Sequence, residues 1–198
     1  MKKVFAFVWV GGLSLFTIAA ASSIKIDFKN SAPAGMVLGR RARISDGTLK
    51  LNDWPECCVP IRQDGPLKIT YRMRILKKKN PDQAHFGFNL SSGKRSALFH
   101  SYADNFIGTL TENKQNGGGA WPERGQKNPF LTDDWNTVEI IVKPQNVTVN
   151  VNGQSSLVAG FSLLPVEKFS FHSYNYDYEV DSLTIEPLKE EKSAPDAL

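Results

Sequence analysis

The stretch Leu67-Lys-Ile-Thr-Tyr-Arg-Met-Arg-Ile75 decides the fold class of this chain. Each odd position holds a large apolar side chain, and each even position holds a lysine, a threonine or an arginine. Successive side chains of an extended strand point to opposite faces, so this period of two gives one apolar and one polar face. The pattern predicts a strand with one face packed in a core and the other face in water.

The same pattern continues along the chain in both directions. Alternating segments occur at 84–90 and 169–172, and valine-rich segments at 138–142 and 147–151 are typical of a hairpin. Turn residues separate the segments, as at Asn152-Gly153. Short strands at regular spacing, with no helical period of apolar residues, predict an all-β fold of two packed antiparallel sheets.

The N-terminus has the pattern of a secretory signal peptide at residues 1–21. Lys2 and Lys3 precede an apolar run from Val4 to Ile18, and three alanines follow it. An uncleaved membrane anchor is the alternative, because 18 apolar or small residues are about the lower limit for a spanning helix. Since no later segment is long enough to span a membrane, we expect no integral membrane protein after cleavage. The short Met-Lys-Lys start favours a bacterial protein that is exported to the periplasm or the exterior.

Cleavage changes what the charge of the chain implies. The full sequence carries a net charge of +4, and loss of the two N-terminal lysines lowers it to +2. A nearly neutral exported chain without interleaved basic and aromatic residues disfavours nucleic acid as a partner. Residues 22–187 are predicted to form one β domain, and the polar residues 188–198 a disordered tail.

Two segments resemble known jelly rolls. Residues 134–142 and 146–153 resemble the tryptophan-containing hairpin of concanavalin A-like domains. Residues 168–172 and 179–185 resemble the closing pair of strands of these domains, and Asp46-Gly-Thr-Leu49 is similar to one of their early strands. The resemblance implies a relationship to secreted bacterial laminin G-like and 3-keto-disaccharide hydrolase-like domains. The resemblance implies a concanavalin A-like jelly roll, a two-sheet antiparallel β-sandwich. This fold carries lectins, glycosidases, lyases and plain scaffolds, so it does not name an activity.

The carboxylates do not form a complete catalytic motif. Glu179-Val-Asp181 resembles the first part of the E-x-D-x-x-E motif of glycoside hydrolase family sixteen, but Thr184 stands where the last carboxylate belongs. Asp133-Asp134 precedes a strand and is interpreted as turn chemistry. We therefore expect no catalytic residue in this motif. Catalysis elsewhere in the chain stays open as an alternative, and the enzyme would then be a glycoside hydrolase.

Polar side chains with the outward parity of their strands are the candidate ligand-binding set. If the strands are neighbours, one polar face would present Arg72, Arg74, His85, Asn89, His100 and Tyr102. Arginine and the aromatic rings suit sugar hydroxyls and sugar faces, while an ordinary solvated face is the alternative. The long polar stretch 112–129 adds three candidates, Trp121, Glu123 and Arg124. Trp121 could instead pack back onto the sheet.

The cysteines and histidines give weaker predictions. Cys57-Cys58 in an exported chain suggests a vicinal disulfide, with free thiols or a bridge to another chain as alternatives. Such a disulfide would make the stretch from Trp54 to Cys58 a weak candidate for sugar binding. The histidines at 85, 100 and 172 lie on separate segments without a ligand spacing, so no metal site is predicted. Calcium at Asp104-Asn105 or Asp133-Asp134 is possible, and no other cofactor is expected.

These observations predict an exported, non-catalytic module that binds a glycan or another extracellular polymer. Two alternatives stay open: a glycoside hydrolase or polysaccharide lyase on the same fold, and a structural or adhesion domain without a small ligand. The sequence does not indicate an oligomeric state.

Overall fold

The computed structural model describes residues 23–29, 31–79, 84–102, 109–112, 130 and 133–189. Within these ranges the side chains of residues 102, 109–112 and 154–157 are not described. The predicted signal peptide lies outside the described residues, and so does the predicted tail apart from residues 188 and 189. The described residues form strands and turns, and none of them belongs to a helix that could span a membrane. The strands are β1 (Ile24–Asp27), β2 (Val37–Leu38), β3 (Ala42–Ser45), β4 (Thr48–Asn52), β5 (Cys57–Gln63), β6 (Leu67–Lys78), β7 (His85–Ser92), β8 (Arg95–Tyr102), β9 (Thr109–Glu112), β10 (Trp135–Val142), β11 (Val147–Val151), β12 (Gln154–Ala159), β13 (Val166–Tyr174) and β14 (Tyr176–Pro187).

The strands make two antiparallel sheets. The larger sheet has the order β12-β11-β10-β6-β14-β4-β3, with β1 also pairing with β14. The smaller sheet has the order β2-β5-β13-β7-β8-β9. The prediction of an all-β, two-sheet antiparallel sandwich is confirmed.

The core lies between the two sheets, where the apolar faces of the alternating strands meet. Leu67, Ile69, Tyr71 and Met73 of β6 are at most 1% exposed, as their period of two predicts. The ring of Tyr71 makes an edge contact with Phe171 of β13, with 5.4 Å between ring centroids. Edge-to-face contacts of this kind add about 0.5–1.5 kcal/mol to the burial of the rings. The core therefore holds the two sheets face to face and leaves their outer faces for polar side chains.

The path from β6 to β7 corrects the predicted single binding face. These strands are consecutive in the chain but belong to different sheets. Arg72 and Arg74 therefore lie on the outer face of the larger sheet, whereas His85, Asn89 and His100 lie on the outer face of the smaller sheet. Strand parity gave the correct outward direction for each residue, but the assumption that the strands are neighbours was wrong.

The predicted vicinal disulfide is also wrong. Cys57 and Cys58 are both free, with Cys57 buried and Cys58 half-buried. They are successive residues of β5, and the pleat directs their side chains to opposite faces of the smaller sheet. Burial raises the pKa of the Cys57 thiol to about 12, and the adjacent Cys58 contributes to this shift.

Candidate functional site

Three histidines converge on the outer face of the smaller sheet. They come from three neighbouring strands, His172 from β13, His85 from β7 and His100 from β8. In the register of the sheet, His172 and His100 both lie opposite Gly87, one on each side of β7. His85 stands two residues before Gly87 and shares its parity, so its side chain points to the same face. The register thus forms a triangle of imidazoles around a glycine, which we call the histidine cluster.

The rings of the histidine cluster are in direct contact. The Nε2 atoms of His85 and His172 are 3.1 Å apart. The ring centroids are 4.4 Å apart for His85 and His100, and 4.8 Å apart for His100 and His172. Each histidine offers one ring nitrogen within 4.8 Å of those of the other two. Among the described residues, this is the group of three ligating side chains close enough to share a metal ion.

Gly87 is the backbone element that makes this arrangement possible. It is buried in the middle of β7, between the strands that carry His100 and His172. A Cβ atom built at position 87 would collide with the backbone carbonyl group of Phe99 on β8. Any other residue would therefore push β7 and β8 apart where the two histidines flank the strand.

Two aromatic residues border the histidine cluster. Trp54 makes edge contacts with His172 and Tyr174, with centroid distances of 5.6 and 5.3 Å. Tyr174 also contacts His85 at 5.3 Å. Trp54 is 54% exposed, which is unusual for so large an apolar side chain with partners on one side. A half-exposed indole of this kind leaves an aromatic face open to a ligand beside polar ring nitrogens.

The backbone at Trp54 is strained and firmly held. Its φ angle is 56°, in the left-handed region that bulky residues rarely adopt. Its N–H donates to the carbonyl oxygen of Ser173 at 3.0 Å. The preceding carboxylate, that of Asp53, accepts a bond from the N–H of Asn175 at 2.8 Å through Oδ1. The tertiary structure thus fixes the indole beside the end of β13, and strained positions of this kind concentrate at functional sites.

Two members of the histidine cluster, His100 and His172, are held in the neutral form. Burial lowers the pKa of His100 to about 3, and the neighbouring His172 and His85 contribute to the shift. Burial and the neighbouring His85 lower the pKa of His172 to about 4. At neutral pH these imidazoles are uncharged, so each has a nitrogen lone pair that can accept a hydrogen bond or bind a metal.

The pKa values predict that acid destabilises the fold. The unfolded-state pKa of histidine is about 6.5, above the folded values of His100 and His172, so the unfolded chain binds protons first as the pH falls. The free energy of unfolding should be fully maintained above about pH 6.5 and lost progressively below it, toward the folded pKa values. Urea unfolding in EDTA at about pH 7.5 and about pH 5 should show a lower midpoint at the acid pH, before most carboxylates titrate.

The double variant His100→Gln/His172→Gln is the control for this prediction. Its urea midpoint should depend less on pH over the same interval, because glutamine does not titrate. An equal dependence in the variant and the native chain would assign the effect to other groups.

The outer face of the larger sheet carries ion pairs rather than a groove of free polar groups. Arg74 donates to Oε1 of Glu179 from Nε at 3.0 Å, and Arg72 donates to Oδ2 of Asp181 at 2.8 Å. Both guanidinium groups lie over the ring of Trp135, at 4.8 and 5.1 Å from its centroid. The carboxylates of the Glu179-Val-Asp181 motif are therefore charge partners of arginines within the sheet.

The remaining predicted site residues are placed only in part. Asn89 is half-buried on the outer face of β7, two residues from Gly87. The backbone of Tyr102 pairs with that of His85, while its side chain is not described. The candidates at Trp121, Glu123 and Arg124 and the possible calcium ligands at Asp104-Asn105 lie outside the described residues. Asp134 is exposed and accepts the backbone N–H of Trp135 at 2.7 Å, which is turn chemistry as interpreted from the sequence.

Sequence reasoning left two residues of the site, His172 and Tyr174, out of the candidate binding set. Both have the outward parity of β13, so the pattern contained the signal. Trp54 was a weak candidate from the sequence as part of the stretch 54–58, and its contacts with β13 place it beside the histidine cluster.

Comparisons with known proteins identify the fold. No protein-family model matches this chain, and no curated protein matches it. Among solved structures, a mutant of the alginate lyase Aly36B with an alginate trisaccharide has a TM-score of 0.60 and 12% identity, over 85% of this chain and 99% of that one. A native glycosidic hydrolase has a TM-score of 0.65 and 11% identity, over 86% of this chain and 98% of that one. The fold is the concanavalin A-like jelly roll. The galectin LEC-6 of Caenorhabditis elegans also matches, with a TM-score of 0.52 and 12% identity, over 69% of this chain and 95% of that one.

At these identities the likeness establishes the architecture of the jelly roll and not its chemistry. The predicted concanavalin A-like fold is confirmed. The histidine cluster and Trp54 lie on the outer face of the smaller sheet of this jelly roll. The likeness in fold does not account for these side chains, which belong to this sequence.

Proposed function

We propose that this chain is an exported carbohydrate-binding module without catalysis of its own. The binding surface is the outer face of the smaller sheet around Trp54, Tyr174 and the histidine cluster. The observation that carries the proposal is the indole of Trp54, 54% exposed yet fixed against His172 and Tyr174. A rigid aromatic surface beside polar ring nitrogens can contact both the apolar face and the hydroxyl groups of a sugar.

Structural neighbours support a carbohydrate as the ligand class. They include a lyase in complex with an alginate trisaccharide, a galectin and a carbohydrate recognition domain. Because the same fold also carries hydrolases and a transglycosylase, the neighbours alone do not separate binding from catalysis. The arginine pairs of Glu179 and Asp181 favour a structural role for these two carboxylates.

Glycan binding should depend on Trp54 and not on the other sheet. We expect the chain to bind a ligand on a glycan array that includes alginate oligosaccharides and galactosides. Trp54→Ala should then weaken binding in calorimetry by about thirtyfold, which corresponds to about 2 kcal/mol for loss of an aromatic anchor.

The matched control is Trp135→Ala on the opposite outer face, which removes an indole of the same size. It should leave the affinity within about twofold, provided that circular dichroism and thermal unfolding show a folded chain. Failure to bind any glycan would contradict the proposal. Equal losses of affinity in the two variants would contradict the location of the site.

A further inference from the structure

We propose that His85, His100 and His172 form a binding site for one divalent transition metal ion of the Zn²⁺ class. The three imidazoles come from three adjacent strands, and a ligating nitrogen of each lies within 4.8 Å of the others. The inference does not depend on carbohydrate binding, because the ion requires only these side chains.

The geometry is close to that of a three-histidine site. Zinc–nitrogen bonds of about 2.0–2.1 Å in a tetrahedral site place the ligand nitrogens about 3.3 Å apart. The Nε2 atoms of His85 and His172 are already 3.1 Å apart. The widest separation in the cluster must shorten by about 1.5 Å to reach the tetrahedral value. Because the strands that carry the rings are already neighbours, the proposal requires this movement from the side chains and not from the backbone.

The rings are also ordered in contact with one another before any ion binds. Facing Nε2 atoms of two neutral imidazoles form a hydrogen bond only when one carries the proton and the other does not. A metal ion satisfies a lone pair on each of the three rings at once. The strands fix the rings in contact before any ligand arrives, so little ordering remains to oppose binding.

The ligand set selects the kind of metal. Imidazole nitrogen suits Zn²⁺, Cu²⁺ and Ni²⁺, whereas Ca²⁺ and Mg²⁺ prefer oxygen ligands. Three neutral imidazoles leave the ion with its full positive charge and with a fourth coordination position for water or an oxygen of a bound molecule. In the proposed function, a sugar hydroxyl or carboxylate held by Trp54, which contacts His172, would take that position.

The test is a zinc titration of the exported chain, residues 22–198, produced without a histidine tag and freed of metal with EDTA. Isothermal titration should show one Zn²⁺ per chain, and the thermal unfolding midpoint should rise in the presence of Zn²⁺ because the ion binds the folded state. Calcium, used as a second probe, should give neither effect. Tetrahedral Co²⁺ with nitrogen ligands should give visible absorption bands when it replaces zinc.

The variants separate this site from other ligands and from the proposed function. His100→Gln and His172→Gln should each weaken zinc binding by about a hundredfold or more. Loss of a residue that only orients a metal ligand usually costs about 10- to 100-fold in affinity, so a larger loss indicates direct ligation. Cys58→Ser should bind zinc as the native chain does, which excludes the half-buried thiol. Trp54→Ala should keep zinc binding while it loses glycan binding, so failure of either proposal can be recognised separately.

Two results would overturn the inference: no zinc binding by the folded native chain, or unchanged zinc binding by the folded double variant His100→Gln/His172→Gln. Should the histidine variants not fold, protection from diethyl pyrocarbonate tests the native chain directly. The sequence contains three histidines, and all three belong to the cluster, so the reagent reports on the proposed site directly. Zinc should then slow their modification. An unchanged rate of modification would count against the site.

Discussion

Replacing Gly87 with alanine is expected to destabilise the chain by about 3 kcal/mol, near the upper end of the usual cost of overpacking. The added Cβ would collide with the carbonyl group of Phe99, which is backbone and cannot rotate away as a side chain can. To relieve the collision, β7 and β8 must separate within the smaller sheet. Urea unfolding followed by circular dichroism measures the loss as a lower midpoint.

Gly160→Ala is the matched control, because no atom of the described residues lies within 4 Å of the Cβ position at that exposed glycine. Its free energy of unfolding should stay within about 0.5 kcal/mol of the native value, as for most surface substitutions. Equal losses of unfolding free energy in the two variants would show that the close approach of β8 is not the reason why position 87 requires glycine. Where Gly87→Ala folds, it should also weaken zinc binding, since His100 and His172 lie on the two strands that flank this residue.

Arg74→Ala is expected to lower the free energy of unfolding by about 2–3 kcal/mol. The side chain of Glu179 is 7% exposed and accepts bonds from Arg74 and from Thr48, the latter at 3.1 Å. Without the guanidinium group, the buried carboxylate of Glu179 would keep the neutral hydroxyl of Thr48 as the remaining donor of these two. Removing one partner of a buried pair costs about 3–5 kcal/mol, and the value here is lower because Arg74 is 43% exposed.

Arg72→Ala provides the comparison on the same strand. Asp181 is 23% exposed, so water can solvate its carboxylate after the arginine is removed, and we expect a loss of less than about 1 kcal/mol. Both substitutions remove a contact with the ring of Trp135, so that effect largely cancels between them. Equal losses in urea unfolding would argue against the burial of Glu179 as the cause. Neither variant should change glycan or zinc binding, because both arginines lie on the opposite sheet.

The strands and their inward faces could be predicted from the sequence because alternation is a local property. In Leu67–Ile75, each side chain direction follows from its position along an extended backbone, and four of the five apolar residues are fully buried. The turn at Asn152-Gly153 was also readable, since both residues adopt the positive φ angles, 52° and 77°, that the dipeptide favours.

The site could be predicted only in part because it depends on which strands are neighbours. His85 and His100 were candidates from their parity, but their convergence with His172 requires β13 to pair with β7. His85 and His172 are 87 positions apart in the sequence, and no local spacing records their contact. For the same reason Arg72 and Arg74 were grouped with the histidines, although β6 pairs with β10 and β14 in the other sheet.

The sequence by itself determined that this chain is all-β, which face of each strand is buried and where several tight turns occur. These features follow from side chain alternation and from local backbone preferences. The tertiary structure decided which sheet each strand joins, which rings meet around Gly87 and which carboxylates find arginines. Those features depend on contacts between distant segments, and they are set by the burial of apolar faces from the whole chain in one core.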